Sequence, residues 1–215
     1  MTIDFAQYGL AIHTASPELG LALSNFAGDD RAQVWNLGRD LSTHLHVYLA
    51  EFLHPQTWQN LAFVAVAIGP GGFTGTRLGV VTARTLAQQL ELPLFAVSTL
   101  AALAQATVAG KRLPEDTPLD IAVQMPAQRG EVFGAIYQPT PEGLQSLLSD
   151  AVMSLATWQQ TLADWHNSYH LIQAEGGLGG SATDVLSIAH QHWHQGLRPH
   201  WSAALPFYGQ HPVVT

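Results

Sequence analysis

The chain has 215 residues, 47% hydrophobic and only 11% charged, so it is long enough to bury a sizeable core and too apolar to be disordered. Sixteen acidic residues against eight basic give a formal charge of −8, which argues against a free-standing nucleic-acid binder, because such proteins present a basic face to phosphate. The lack of cysteine removes disulfide scaffolds, zinc ribbons, iron–sulfur ligation and thiol catalysis together.

The opening Met1–Phe5 has neither the basic start nor the long apolar stretch of a signal peptide, and no segment has the unbroken apolar length of a membrane span. A cytoplasmic protein without membrane association is expected. With so few charges, much of the surface must be uncharged, which points to burial against a partner. Residues 8–14 form an apolar, strand-like run ended by the turn Ser16-Pro17-Glu18. A second run at 19–26 ends at Ala27-Gly28-Asp29-Asp30, and a third occupies 32–37. Links this short favour antiparallel pairing. Over 40–53, Leu41, Leu45, Tyr48, Leu49 and Phe52 recur at helical spacing, and Pro55 follows as a stop.

Residues 63–68 (Phe-Val-Ala-Val-Ala-Ile) are apolar on both faces, as a central parallel strand requires. The glycine-rich segment 69–75 then leads into a helix over 75–91, a strand over 93–97 and a helix over 99–110. The order βββαβαβα implies a mixed sheet whose parallel part is wound by crossover helices. Residues 110–118, rich in proline and charge, mark a boundary between a first lobe (1–109) and a second, reduced lobe (110–215), whose tail could return to the first. In the second lobe, strands are expected at 119–125, 131–138 and 169–174, with helices at 154–165 and 181–194. The sequence shows no internal repeat.

Glycines between a buried strand and a helix permit unusual backbone angles and expose amide N–H groups at a helix start, a ready anion site. Thr74-Gly75-Thr76 nevertheless lacks the Lys-Ser or Lys-Thr of a phosphate-gripping loop, and Gly71, Gly72 and Gly75 do not have dinucleotide-motif spacing. The bland alternative is a tight, capped strand-to-helix turn. Gly79, Ala83 and Ala87 follow at four-residue spacing, a stripe that suits either packing within the lobe or a subunit contact.

Val66 to Gly79 reads Val-Ala-Ile-Gly-Pro-Gly-Gly-Phe-Thr-Gly-Thr-Arg-Leu-Gly, and it resembles the Gly-Pro-Gly-Ser-Phe-Thr-Gly-Leu-Arg-Ile-Gly signature of the TsaB family. The family-signature loop here is Gly69, Pro70, Gly71, Phe73, Thr74 and Gly75. Ala83–Ala87, Leu92–Leu100, Gln128–Phe133, Leu10–Ala15 and Leu205–Tyr208 resemble further segments of that family, so the similarity covers about residues 8–137 and the tail. The resemblance implies a two-lobed, actin-like (ribonuclease-H-like) α/β fold. It implies a non-catalytic scaffold subunit that pairs with the transferase TsaD, and with itself when TsaD is absent. A TsaE-like ATPase is implied to join that assembly, which forms threonylcarbamoyladenosine next to the anticodon; tRNA is reached only through the complex. The pairing helices would be 40–53 and 75–91, with Leu45, Leu49, Phe52, Arg77, Val81 and Arg84 at or near the contact.

Departures from relatives bear on chemistry. In actin-like ATPases the first strand supplies a metal-organising aspartate; here His13 stands in that place, and an imidazole is a poor magnesium ligand. The paired metal-binding histidines of TsaD have no counterpart in 97–104, where only Ser98 and Thr99 are polar. Pro126 and Gln128 replace the family's usual Asp and Arg. His190 with His194, and His44 with His46, are close enough to suggest a metal, but no third ligand adjoins either pair. No catalytic, cofactor or metal residues are therefore expected. A late glycine run, 175–181, could mimic the nucleotide-holding loop of an actin-like second lobe or be a plain strand-to-helix turn. The rival functions are a small actin-like kinase or phosphotransferase using 69–75 and 175–181, and a secreted peptidase, for which no serine or zinc constellation is evident.

Overall fold

The computed structural model describes residues 7–110, 119–207 and 209. Tyr208, the last residue of the tail resemblance, and residues 111–118 of the expected boundary lie outside the described residues. The chain runs β1 (Tyr8–His13), β2 (Glu18–Ser24), β3 (Asp30–Asn36), α1 (Leu41–Leu53), β4 (Leu61–Ala67), α2 (Phe73–Leu90), β5 (Leu94–Val97) and α3 (Thr99–Ala109). It continues with β6 (Asp120–Pro126), β7 (Glu131–Thr140), β8 (Gly143–Ser154), α4 (Leu155–Ala163), β9 (Tyr169–Gln173) and α5 (Ala182–His194).

The first sheet has strand order β3-β2-β1-β4-β5, with β1–β2–β3 antiparallel and β1–β4–β5 parallel. The second has order β8-β7-β6-β9, again an antiparallel meander followed by one parallel neighbour. The second sheet thus repeats the build of the first without a fifth strand. Sequence pattern gave no sign of this repeat, because topology can recur while side chains diverge.

Strand β8 is absent from the sequence-based expectation. Its pairing with β7 shifts register on both sides of Ile136, and these irregularities spoil the two-residue period by which a half-buried strand is recognised. The bounds of the other elements differ from expectation by one or two residues.

Helices α1 and α2 cover one face of the first sheet. Leu41, Leu45, Leu49 and Phe52 of α1 and Val80, Ala83 and Ala87 of α2 pack on Leu10, Ile12, Val64 and Val66. Truncating a fully enclosed leucine such as Leu45 to alanine costs about 2–5 kcal/mol. Helix α5 covers the opposite face, where Val185, Leu186 and Ala189 meet Ala11, Phe63 and Phe95. Helix α3 lies between the two sheets: Ala102 joins the Phe95 and Val97 cluster, while Leu100 and Ala104 pack with Ile121, Val123 and Phe133. Helix α4 closes the outer face of the second sheet through Trp158, whose indole N–H donates to Gln124 Oε1 at 2.9 Å.

A cut at residue 110 therefore does not separate two independent cores. α5, which chain order places in the second half, lies on the first sheet, and the tail follows it there: the Phe207 N–H donates to the Ile68 carbonyl at 2.7 Å, and Ala204 is buried with the α2 side chains.

Candidate functional site

The signature loop acts first as a joint. Gly71, Gly75 and Gly79 have no room for a side chain, because a β-carbon there would overlap the Ala15 carbonyl, the Thr14 carbonyl and the Thr14 hydroxyl respectively. In exchange the Thr14 hydroxyl donates to the Gly75 carbonyl at 2.8 Å, and the Gly72 N–H donates to the Ala15 carbonyl at 2.7 Å. The start of α2 is thereby pressed against the β1–β2 turn. The stripe Gly79, Ala83 and Ala87 is buried within the lobe, so of its two sequence readings the structure supports internal packing.

His13 is fully buried, and neither ring nitrogen has a hydrogen-bond partner. Burial favours the neutral imidazole and pushes its pKa down to about 4. A neutral ring enclosed this way cannot organise a cation as an aspartate would. Among the described residues, no group of three His, Asp or Glu side chains gathers that could hold a metal ion. His190 stacks on Phe26 with ring centroids 3.4 Å apart and meets His194 edge-on at 4.2 Å, so the α5 histidines belong to an aromatic cluster. His44 Nδ1 lies 3.2 Å from the Asp40 carbonyl, and His46 is exposed.

The expected contact residues separate into two groups. Leu45, Leu49 and Phe52 are 0%, 2% and 8% exposed and face the sheet, so they cannot touch a partner directly. Helical spacing selected them as an apolar face without telling which way that face points. Arg77 and Val81 lie on the outer row of α2, in line with Phe73 and Thr85 at four-residue steps. Phe73 and Val81 are 56% and 58% exposed, and the Arg77 guanidinium sits 5.3 Å above the Phe73 ring. Arg84 is half-buried, its guanidinium 5.6 Å from the Trp201 ring centre. On α1 the exposed large apolar residue is Val47, which the sequence reading missed. Its position opposite the Leu45–Leu49 stripe was the available signal.

Between the lobes lies a cleft of about 850 Å³, bounded by the signature loop, the β6–β7 turn and the segment after β9. Phe73 and Arg77 border it on one side, Pro126, Gln128 and Arg129 on another, and Glu175 and Leu178 on a third. The late glycine run is a short helical turn. Gly179 presses against Gly20 of β2, and its N–H donates to Glu18 Oε2 at 2.8 Å.

A polar lock between α3 and the second sheet also escaped the sequence. Ser98 caps α3 by accepting from the Leu100 and Ala101 amides, and its hydroxyl donates to Asp150 of β8. The Tyr137 hydroxyl donates to the other Asp150 oxygen at 2.7 Å. Burial raises both the Asp150 carboxyl and the Tyr137 phenol above their ordinary values. The group ties β5 and α3 to the second sheet. Ser98 was legible as a helix cap, whereas Asp150 lies in the strand the periodicity missed.

Two mixed sheets of like build, bridged by α3 and facing each other across a cleft, define a two-lobed, actin-like protein. The family model described as "TsaD: tRNA N6-adenosine threonylcarbamoyltransferase" matches residues 42–186, and the chain belongs to this family. The tRNA threonylcarbamoyladenosine biosynthesis protein TsaB of Bacillus subtilis is 37% identical over 106 residues, 49% of this chain and 43% of that protein. The protein of that name from Escherichia coli is 29% identical over 170 residues, 70% of this chain and 71% of that protein. The match to TsaB of Buchnera aphidicola from Schizaphis graminum spans 36% of that protein, so the chain aligns with less than half of the first curated relatives' length. Two Pseudomonas aeruginosa structures share the fold with TM-scores of 0.72: one described as YeaZ, the other as an uncharacterized protein with similarity to peptidase YeaZ. They are 23% and 24% identical and are matched over their whole length. No helix among the described residues is long and apolar enough to cross a membrane.

Proposed function

We propose that this chain is a non-catalytic scaffold subunit in the formation of threonylcarbamoyladenosine in tRNA. It pairs through the outer row of α2 with a TsaD-type transferase, and with a second copy of itself when the transferase is absent. A TsaE-type ATPase joins the assembly, and tRNA reaches the chain only through it. The observation that carries this reading is the exposed row Phe73, Arg77 and Val81 on a helix whose other face is fully committed to the core. Large apolar residues beside an arginine are the groups that anchor interfaces most often. Leu45, Leu49 and Phe52 support that surface from behind, and Arg84 with Trp201 extends it.

The absence of a chemical role is supported by buried His13, whose ring nitrogens have no hydrogen-bond partner, at the position where the resemblance implies a metal-organising acid. Val81→Glu tests the pairing. The side chain is exposed, so melting temperature and far-ultraviolet circular dichroism should not change. Sedimentation should shift toward monomer and TsaD binding should weaken by at least about tenfold. Wild-type pairing by the variant would refute the assignment of this face.

A further inference from the structure

We infer that the outer edge of β3 pairs with β3 of a second copy of this chain, antiparallel and centred on Gln33, so that two five-stranded sheets continue as one. Among the described residues β3 is the outermost strand of the first sheet, with β2 alone beside it. The β2–β3 register is unbroken from Asp30 to Asn36. At its two ends the Asn25 N–H donates to the Asp29 carbonyl at 3.1 Å, and the Leu37 N–H donates to the Pro17 carbonyl at 3.3 Å. Bonded positions recur at every second residue of such a ladder, so Arg31, Gln33 and Trp35 bond to β2. The N–H and C=O groups of Asp30, Ala32, Val34 and Asn36 therefore face outward. Natural sheet edges are commonly blunted by proline, lysine or a bulge, and β3 has none of these.

The strand is complementary to itself in this arrangement. In parallel register Asp30 would stand beside Asp30 and Arg31 beside Arg31, which is unfavourable. Turned antiparallel about Gln33, all 7 residues find a partner. Asp30 meets Asn36, whose amide donates to a carboxylate, Arg31 meets Trp35, and Ala32 meets Val34. These pairs also set outward-facing backbone groups opposite one another, as hydrogen bonding across the junction requires. The surface beside the strand fits as well. Helix α5 packs over Ala11, Ala22 and Phe63, whereas Ala32, the neighbour of Ala22 on β3, is exposed. Beside Ala32 lies a hollow of about 390 Å³ whose lining includes Ala22, Leu186, Ser187 and His190. Val34, 43% exposed on the same face, stands over that hollow of the other copy when the strands pair. A strand of another protein would meet the same outward groups, but a second copy supplies Val34 opposite Ala32 and Asn36 opposite Asp30 twice over, by two-fold symmetry. So short a junction buries less than the roughly 1,200 Å² of stable complexes, which sets an expected dissociation constant on the order of 10–100 μM. The inference does not depend on the pairing proposed above, since β3 shares no residue with the α2 row.

The test uses the full chain carrying Val81→Glu, so that association through α2 does not obscure the edge. Sedimentation equilibrium between about 5 and 500 μM should show reversible dimer formation. Between the same concentrations, hydrogen exchange at the Ala32 and Val34 amides should slow by at least about threefold, while the Arg31, Gln33 and Trp35 amides stay as they are. Ala32→Pro deletes an N–H that a single copy does not use, at an edge position where proline is tolerated, and should weaken association by at least about tenfold. Should the proline disturb the strand itself, the exchange pattern alone decides. The inference is overturned if the Val81→Glu chain is monomeric at about 500 μM, if Ala32 and Val34 exchange equally fast at both concentrations, or if Ala32→Pro associates like its parent. Failure of the α2 reading is separate: Val81→Glu would then leave association through α2 intact, and exchange at Ala32 and Val34 would still report on β3.

Discussion

Two glycine-rich segments flank the cleft, and apart from Gly69 (φ 99°) in the first and Gly179 in the second, which is packed against Glu18 and Val34, they use glycine for different reasons. In 69–75 and the first turns of α2, Gly71, Gly75 and Gly79 are required by close approach: carbonyls of the β1–β2 turn occupy the place of the first two side chains, and the Thr14 side chain that of the third. In 175–181, Gly176 and Gly177 are required by conformation, at φ 116° and 66°, with little or nothing near the place of a β-carbon. Contact glycines make the first segment a rigid joint between strand and helix. Conformational glycines let the second turn sharply toward the cleft, where Glu175 and Gly176 line the wall. Identical residue types in two loops that look alike on paper thus have unlike tolerances.

The largest expected effect tests the joint. Alanine in a helix is ordinarily better than glycine by about 1 kcal/mol, yet Gly75→Ala should destabilise by about 3 kcal/mol or more, because the methyl group meets the Thr14 carbonyl. Urea unfolding measures it, and a change within about 0.5 kcal/mol of the wild type would mean that the two segments do not differ as described.

Next in size is the buried imidazole at the end of β1, the strand whose following turn this joint presses on. His13 titrates at about 4 when folded and 6.5 when unfolded, so the unfolded chain binds more protons between those values. Stability is then fully present above about pH 6.5 and falls by up to about 3 kcal/mol as pH drops toward 4. Asp184 works in the opposite direction, since burial raises its carboxyl to about 6 and favours the folded state at the acidic end of the same window. The His13 contribution is therefore read as a difference between wild type and His13→Leu, which should lose the acid-side slope and be no less stable at neutral pH. Parallel stability curves for the two proteins would exclude it.

Smaller effects are expected in the late segment. Glu18→Ala removes the acceptor of the Gly179 N–H and should cost about 1–2 kcal/mol in the same unfolding assay. Gly180 has ordinary φ and open space around it, so Gly180→Ala should be neutral or stabilising by about 0.5 kcal/mol. A loss there comparable to that of Gly75→Ala would show that Gly180, like its neighbour Gly179, is fixed by close approach.

Much of the first lobe could be read because its elements are locally complete. Strand β4 is apolar on both faces since both faces are covered, and α1 repeats Leu41, Leu45 and Leu49 on one side. Strand β8 resisted reading because bulged pairing with β7 is a property of two strands together. The same limit applied to the site. Leu45, Leu49 and Phe52 were visible as an apolar stripe, but their inward direction depends on the sheet beneath them. Phe73 stood in the signature loop, yet its exposure depends on where α2 leaves the core.

By itself the sequence determined the order of the first eight elements, the family resemblance carried by 66–79, and the presence of histidine at position 13. These depend on local pattern and residue identity, which need no partner to be legible. Only the tertiary structure decided that α5 returns to the first sheet, that Ser98, Tyr137 and Asp150 meet, and that Arg77 and Arg129 border one cleft. Each of these joins residues more than ten positions apart in the chain, and such meetings are set by packing of whole layers, to which no short-range pattern is sensitive.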